Sequence, residues 1–328
     1  MKISLVYNPT AGGGQTKDDL VQLLTAAGHT VRARSSKNNW QKLLQDPGDV
    51  VVAAGGDGTV RKVALAAAGS EVPFAILSFG TANSIGKTLG HVGETRELVD
   101  AWDAALERSL PFDLGVAAAD WGEERFVEAV GGGWLADLLA SEKTIAHPTA
   151  LLGRETDRAL HVLAELLEQA TPEIWGVTAD GSDRSGEYLA VELLNVAFAG
   201  PNIPLAADAS PTDGLLDLVL IGPDDREPIL RYLRSRLETA TCEMPALTRM
   251  RVNEVELHAP PGVRLRIDDR NWPDEAPLED GARVRARVLA GAARLLGGPN
   301  ASWASGSSPM SFPVQPSPAA RGPAPPSR

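Results

Sequence analysis

Short apolar runs alternate with helix-like stretches along the first third of the chain. Runs such as 49–54 (DVVVAA) and 73–79 (PFAILSF) are apolar throughout, which is typical of strands covered on both faces of a sheet. Between the runs, apolar residues recur at helical spacing. The pattern predicts strands at 2–7, 30–35, 49–54 and 73–79, and helices at 16–29, 38–45, 59–69, 83–89 and 94–108.

This alternation predicts an open parallel α/β domain over residues 1–115, with helices on both faces of the sheet. From residue 116 the pattern changes, because strand-like segments follow one another with few helices between them. We expect a C-terminal, mainly antiparallel β-sandwich or barrel-like domain over 116–296. Its predicted strands lie at 112–119, 125–130, 174–180, 186–199, 215–221, 251–259, 263–269 and 282–290, and its helices at 134–144, 151–170 and 226–240.

Residues 297–328 are rich in Pro, Ser, Ala and Gly and contain few apolar residues. Such a composition buries too little apolar surface to repay the entropy of ordering. We therefore expect a disordered tail that the folded domains do not need.

Charge and cysteine content narrow the range of functions. The formal net charge is −12, which argues against nucleic acid as a partner because nucleic-acid-binding proteins present basic surfaces. The single cysteine, Cys242, excludes an intramolecular disulfide, and no apolar run in the sequence reaches the length of a transmembrane helix. The sequence predicts a cytoplasmic protein without a transmembrane segment.

Three glycine-rich loops follow predicted strands of the first domain: NPTAGGG at 8–14, GGDGT at 55–59 and FGTANS at 79–84. The carboxyl ends of parallel strands form the crevice in which open α/β sheets bind ligands. A glycine-rich turn that leads into a helix presents backbone N–H groups and the positive end of the helix dipole, which suits phosphate. A carboxylate beside phosphates usually holds Mg²⁺ or its bound water, so Asp57 is the predicted metal-handling residue. One such loop is as compatible with a simple turn as with function, but three favour a polyphosphate site.

These motifs resemble those of the diacylglycerol kinase catalytic-domain family, which includes soluble bacterial lipid kinases and relatives of sphingosine kinase. The similarity continues in the second domain. There, LNVAFAGPNIPLAADASPTDGLLDLVLI (194–221) resembles the family segment that ends in Asp-Gly-Leu-Leu, and LRIDDRNW (265–272) lies where the family has Asp-Gly-Glu. NAD kinases share GGDGT, but their downstream Asn-Glu element is not found in this sequence. The resemblance covers about residues 1–296.

The resemblance implies a two-domain kinase of phospholipid metabolism that binds ATP and Mg²⁺ in the cleft. Its acceptor would be the hydroxyl of a diacylglycerol-like or sphingoid-like lipid, met at the membrane surface by a peripheral and transient contact, and a homodimer is allowed. The family's nucleotide contacts fall here on Asn8, Pro9, Thr10, Ala11, Gly12, Ser36, Gly55, Gly56, Asp57, Gly58, Thr59, Val60, Arg61, Lys62, Gly80, Thr81 and Asn83. Its structural Mg²⁺ in the second domain falls on Asp213, with backbone oxygens near Ser210 and Leu215.

Three positions that are acidic in the family are not acidic here. The acid that follows GGDGT is replaced by Lys62, which stands next to Arg61. The second residue of the family's Asn-Asp is Ser84, and the glutamate of its Asp-Gly-Glu is Arg270. An arginine stays protonated and cannot act as a base.

The resemblance therefore leaves Asp268 or Asp269 as the general base. Alternation along a strand at 263–269 would place these two side chains on opposite sides, unless the strand has already ended in a turn. Asp268 stands where the family has its own aspartate, so we expect it to face the cleft and Asp269 to point to solvent. The alternative is a non-catalytic or altered-chemistry relative that binds nucleotide or lipid at a degenerate metal site.

Overall fold

The computed structural model describes residues 1–12, 15–91, 93–141, 152–238, 242–274 and 278–297, with the backbone alone for 152–155. The predicted tail lies outside the described residues except for Gly297. No helix in the described part of the chain is long and apolar enough to cross a membrane.

The first domain is built on parallel strands in the order β2-β1-β3-β4. Val51 and Ala53 of the third strand pack into one core, and Val52 packs into another on the opposite face. Both faces of the sheet are therefore buried, as the continuous apolar runs predicted. The strands are β1 (Lys2–Tyr7), β2 (Thr30–Ser35), β3 (Val50–Gly55) and β4 (Phe74–Ser78).

Helices cover this sheet at the places where the sequence predicts them. The first begins at the N-cap Thr16, whose hydroxyl and the Asp19 carboxylate form a capping box. The single helix expected over 94–108 is divided in two at Ala101. The helices are α1 (Lys17–Ala26), α2 (Asp57–Ala66), α3 (Ser84–Thr88), α4 (Thr95–Asp100) and α5 (Trp102–Leu106), with a 3-10 helix at Trp40–Gln45.

The second domain is a sandwich of two sheets whose strand pairs are antiparallel, which confirms the predicted fold class. One sheet has the order β13-β12-β11-β7-β15-β16, and the other contains β10-β8-β14-β17 with β5 beside β17 and β6 beside β5. The strands are β5 (Leu110–Ala119), β6 (Gly122–Phe126), β7 (Ala129–Gly133), β8 (Glu173–Ala179), β9 (Ser182–Asp183), β10 (Gly186–Tyr188), β11 (Ala190–Leu194), β12 (Leu216–Ile221), β13 (Thr248–Val252), β14 (Glu254–Ala259), β15 (Leu265–Ile267), β16 (Arg270–Asn271) and β17 (Ala282–Leu295).

Two cores hold this domain together. Side chains such as Trp175 and Leu218 fill the space between the sheets. On the outer face of the β7–β11–β12 sheet, three helices bury a second core around Leu163, and the indole N–H of Trp134 donates to the Leu163 carbonyl (2.9 Å). These helices are α6 (Trp134–Ala140), α7 (Leu152–Gln169) and α8 (Arg226–Leu237).

Strand β17 connects the two domains. It pairs with β14 and β5, and then its last residue, Leu295, pairs in parallel with Phe74 of β4. The N–H of Leu296 donates to the Phe74 carbonyl (2.7 Å). The end of the second domain therefore closes the edge of the first sheet, and the division drawn at residues 115 and 116 falls inside β5.

Candidate active site

The first glycine-rich loop leaves β1 at the carboxyl edge of the sheet. The N–H of Asn8 donates to the carbonyl of Ala54 in β3 (2.9 Å). Asn8 Oδ1 accepts from the N–H and the hydroxyl of Thr10 (3.1 and 3.0 Å), and Lys37 Nζ donates to the same hydroxyl (3.0 Å). Pro9, Thr10 and Lys37 are exposed. This edge therefore presents a cation, Lys37, that the loop motif did not indicate.

The second and third loops touch through their glycines. A Cβ added to Gly80 would lie 2.4 Å from Gly56 Cα, and one added to Gly56 would lie 3.1 Å from Gly80 Cα. A Cβ at Gly55 would lie 2.6 Å from the hydroxyl oxygen of Thr59. These glycines are required by close packing of backbone on backbone, which brings the loops after β3 and β4 together.

Asp57, the first residue of α2, connects this pair of loops to α3. Its Oδ2 accepts from the N–H of Ser84 and its Oδ1 from the N–H of Ile85, each at 3.0 Å. Burial raises the pKa of Asp57, while these two amides and the nearby Lys87 lower it. The carboxylate lies at the start of two helices, where their dipoles favour negative charge.

The other predicted loop residues occupy supporting positions. Asn83 precedes α3 with φ of 52°, and its amide group exchanges two 2.8 Å hydrogen bonds with the backbone of Gly80. Thr81 is exposed, whereas Ser36 is buried at the end of β2, where its N–H donates to Tyr7 (2.8 Å). The Val60 side chain is buried in the core. Ala11 and Gly12 complete the first loop, which the structure describes as far as Gly12.

Asp268 and Asp269 do not alternate along a strand, because the strand has already ended in a turn, which is the alternative that the sequence left open. Strand β15 ends at Ile267, and the two aspartates form the two-residue turn to β16, with Asp268 at φ of 51°. Left-handed residues are usual in turns of this kind. The side chain of Asp269 is 59% exposed, whereas that of Asp268 is 4% exposed.

The Asp268 carboxylate is held by the bend between β6 and β7. Its Oδ1 accepts from the N–H groups of Val127, Glu128 and Ala129 at 3.2, 2.7 and 3.2 Å. Its Oδ2 accepts from Val127 at 3.2 Å and lies 3.9 Å from Arg61 Nε. Burial raises the pKa of Asp268, and the amides and Arg61 oppose this rise.

Arg61 brings the two domains together at this turn. It lies one helical turn after Asp57 on α2, and its guanidinium donates to Asp269 as well as lying near Asp268. The position of a Cβ at Gly58 lies 4.0 Å from Asp269 Oδ2. The start of α2 in the first domain therefore faces the carboxylates of the second across a narrow gap.

Glu128 is the carboxylate that the sequence interpretation missed. Glu128 is half-buried, and its burial raises the pKa of its carboxyl group well above the ordinary value. The charges of Asp57 and Asp268 add to the rise, and Arg61 opposes it. The signal available in the sequence was one acid within the apolar segment FVEAV (126–130).

The two basic residues that replace family acids lie outside this cluster. Lys62 is exposed on the outer side of α2. Arg270 pairs with Glu124 of β6 and lies 3.5 Å from Asp274. Neither residue puts its positive charge among the four clustered carboxylates, Asp57, Glu128, Asp268 and Asp269.

The side chains predicted at the structural Mg²⁺ site of the second domain are bound to other groups of the protein. Asp213 Oδ1 accepts from the N–H of Leu215 (3.0 Å), and its Oδ2 is bound by the Arg251 guanidinium. The hydroxyl of Ser210 is hydrogen-bonded to that of Thr212 (2.9 Å). Within the described ranges, no group of three His, Cys, Asp or Glu side chains is arranged to hold a metal. Arg251 supplies the positive charge beside Asp213, at the position where the family resemblance implies a metal ion.

Fold and site together define a two-domain protein in which the glycine-rich loops of a parallel α/β domain face carboxylates of a β-sandwich domain. The family model of the diacylglycerol kinase catalytic domain matches residues 2–117. The model of the YegS C-terminal NAD kinase beta sandwich-like domain matches residues 142–286. The chain belongs to the diacylglycerol kinase catalytic-domain family, and it is a kinase.

Individual relatives agree with this result. A protein named "Diacylglycerol kinase" from Bacillus subtilis (strain 168) is 24% identical over 277 residues, which are 80% of this chain and 88% of the relative. A protein named "Probable lipid kinase YegS-like" from Pseudomonas aeruginosa (strain UCBPP-PA14) is 29% identical over 250 residues, which are 75% of each chain. The non-catalytic alternative is not favoured by these matches.

A solved structure shows the same fold. The crystal structure of a diacylglycerol kinase from Bacillus anthracis str. Sterne has a TM-score of 0.63 against this chain at 20% identity, and the match covers 91% of this chain and 97% of the other. The two-domain architecture is therefore shared along nearly the whole of both chains.

Proposed function

We propose that this kinase transfers the γ-phosphate of ATP to the hydroxyl of a diacylglycerol-like or sphingoid-like lipid. The observation that supports this most strongly is the contact between α2 and the Asp268–Asp269 turn, made by Arg61. Phosphates held at the start of α2 would lie beside carboxylates able to act on an acceptor hydroxyl. The names of the relatives, which include diacylglycerol kinase and lipid kinase, support a lipid as that acceptor.

The nucleotide phosphates are placed at the amino end of α2. The first-turn amides of a helix, here those of Asp57 and Gly58, have no partner within the helix and bind anions well. Close packing of Gly56 on Gly80 leaves no side chain between the two loops. Lys37 and the exposed residues Pro9, Thr10 and Gly12 supply further polar groups along the same sheet edge.

The general base is the carboxylate of Asp268. Its Oδ1 is anchored by three backbone amides, and its Oδ2 faces Arg61 and the gap between the domains. A carboxyl group whose pKa is raised by burial is a better proton acceptor than one in water. Asp57, fixed to the N–H groups of Ser84 and Ile85, keeps the loops aligned.

Mg²⁺ would be held by the substrate phosphates together with the exposed carboxylate of Asp269, because kinases bind this ion through one or two carboxylates and the substrate phosphates. When bound, the ion neutralises charge on the transferred phosphoryl group. Arg61 holds Asp269 at this place. The acceptor lipid is taken from the membrane surface by a transient contact of a cytoplasmic protein.

The proposal is tested by phosphate transfer from labelled ATP to a panel of diacylglycerols and sphingoid bases, with and without Mg²⁺. We expect Mg²⁺-dependent transfer to one class. Gly58→Val should weaken ATP binding roughly tenfold or more, since its methyl groups would fill the gap beside Asp269. Ala66→Val, at an exposed position of the same helix, is the matched control. A folded protein that binds ATP but phosphorylates no lipid of the panel would contradict the proposal.

A further inference from the structure

A chain of hydrogen bonds joins α3 of the first domain to α8 of the second, beside the proposed active site. The Ser84 hydroxyl donates to Asn202 Oδ1 (3.4 Å), and Arg236 Nη1 donates to the Asn202 carbonyl (2.8 Å). Ser84 also donates its N–H to Asp57. Arg236 is therefore connected to the carboxylate at the start of α2 through two residues.

The Arg236 side chain is oriented before any ligand arrives. Nη1 also lies 3.3 Å from the Tyr232 hydroxyl, and the guanidinium carbon lies 5.9 Å from the centre of the Tyr232 ring. Arg234, on the same helix, instead pairs with Glu168 at the surface. Among the described residues, no carboxylate lies within 4.0 Å of the Arg236 guanidinium.

Lys87 approaches the same place from the first domain. It lies one turn after Ser84 on α3 and is half-buried. Burial lowers its pKa, as does the nearby charge of Arg236, whereas Asp57 raises it. In the part of the chain that the structure describes, its ammonium has no carboxylate within 4.0 Å. Asp57 already accepts two backbone N–H bonds, so the two cations are incompletely neutralised.

We propose that Lys87 and Arg236 form a phosphate-binding subsite that spans the two domains. Two cations partly withdrawn from water repel each other, and a phosphate group between them would relieve that repulsion through charge-assisted hydrogen bonds. The assignment of this subsite to the active site rests on the proposed function. The phosphate comes from one of two sources: the terminal phosphate of the nucleotide or a phosphate in the headgroup of a membrane lipid.

Calorimetric titration of Lys87→Met and Arg236→Met distinguishes these sources. The probes are ATP, ADP, dihexanoyl phosphatidylglycerol and dihexanoylglycerol, the last two being short lipids with and without a phosphate. The loss of a charge-assisted contact should weaken binding roughly tenfold or more. A loss for ATP but not for ADP identifies the nucleotide, and a loss for the phosphatidylglycerol but not for the diglyceride identifies the headgroup.

Arg234→Met is the control, since it removes an arginine of the same helix that pairs at the surface. If Arg236→Met does not fold, Lys87→Met carries the test. The inference is overturned if neither variant changes the affinity for a phosphate-bearing probe, if Arg234→Met has the same effect, or if the wild-type chain binds neither ATP nor the phosphatidylglycerol. Binding that depends on Lys87 without any lipid phosphorylation would support the subsite and count against the proposed function alone.

Discussion

Replacing Asp268 with asparagine should separate its structural role from its proposed chemical one. Asparagine keeps an oxygen that can accept from the N–H of Glu128, the shortest of the amide contacts at 2.7 Å. It also tolerates the left-handed backbone seen at this position, where φ is 51°. The substitution removes the negative charge and with it the ability to take a proton.

The expected loss of stability is small. Hydrogen bonds to a charged acceptor contribute about 1 kcal/mol more than neutral ones, and the three amides at Asp268 would lose part of this. The raised pKa of Asp268 shows that burial already disfavours its charge, so removing the charge offsets part of the loss. We expect Asp268→Asn to lower the free energy of unfolding by less than about 2 kcal/mol. Asp268→Ala leaves the amides without an acceptor and should cost roughly 3–5 kcal/mol.

The expected loss of rate is large. Removing a general base costs about two to four orders of magnitude, which is roughly 3–5 kcal/mol in the activation barrier. ATP affinity should be nearly unchanged, because the predicted nucleotide loops lie in the other domain. Asp269→Asn should instead raise the Mg²⁺ concentration needed for transfer while leaving the rate at saturating Mg²⁺ within about tenfold of wild type.

Three measurements distinguish a chemical from a structural role of Asp268: the transfer rate at saturating ATP and lipid, the ATP affinity by calorimetry, and unfolding by urea. Asp274→Asn is the control, because its carboxylate is 86% exposed and lies near Arg270 rather than Arg61. If Asp268→Asn keeps more than about a tenth of the wild-type rate, Asp268 is not the base. If it loses ATP binding and cooperative unfolding together with the rate, its role is structural.

Glu128→Gln should stabilise the protein more at pH 8 than at pH 5. Because the pKa of Glu128 is raised in the folded protein, the folded state keeps a proton on this carboxyl group that the unfolded state has lost. Wild-type stability therefore falls as pH rises above about 4.5. A pH-independent difference in urea unfolding would contradict this. Burial lowers the pKa of His91 to about 4, so wild-type stability should fall by roughly 3 kcal/mol between pH 6.5 and pH 4. His91→Gln should reduce that fall in the same assay, and an unchanged pH profile would refute the reasoning. EDTA should not change the melting temperature of the wild type, because Arg251 neutralises Asp213. Arg251→Met should instead be stabilised by added Mg²⁺. A lower wild-type melting temperature in EDTA would count against this prediction.

Local pattern was sufficient to predict the strands and loops of the first domain. Strands β3 and β4 are apolar on both faces because both faces are covered, and each predicted glycine-rich loop follows a strand of this sheet. The residues of those loops that pack on one another, Gly56 and Gly80, belong to two motifs that the sequence already singled out. Parallel strands bring such loops to one edge of a sheet, so their proximity could be inferred without coordinates.

The carboxylate cluster could not be derived in the same way. Asp268 contacts the amides of Val127 and Glu128, about 140 residues earlier, and this contact depends on the pairing of β15 with β7. A strand pattern also cannot tell where β15 ends, and one residue decides whether Asp268 and Asp269 alternate or share a turn. Glu128 has no motif around it, and it becomes notable only when the fold places it beside Asp57 and Asp268.

The three residues that replace family acids, Lys62, Ser84 and Arg270, occupy positions where they do not disturb the carboxylate cluster. Lys62 stands where the family has an acid, but α2 turns it to solvent. Arg270 is paired with Glu124. Ser84 serves Asp57 through its backbone N–H, which any residue would supply. Arg61, which is not one of these replaced positions, is the arginine that faces Asp268 and Asp269. Neither basic replacement therefore puts its charge among the carboxylates that the proposed phosphoryl transfer would use.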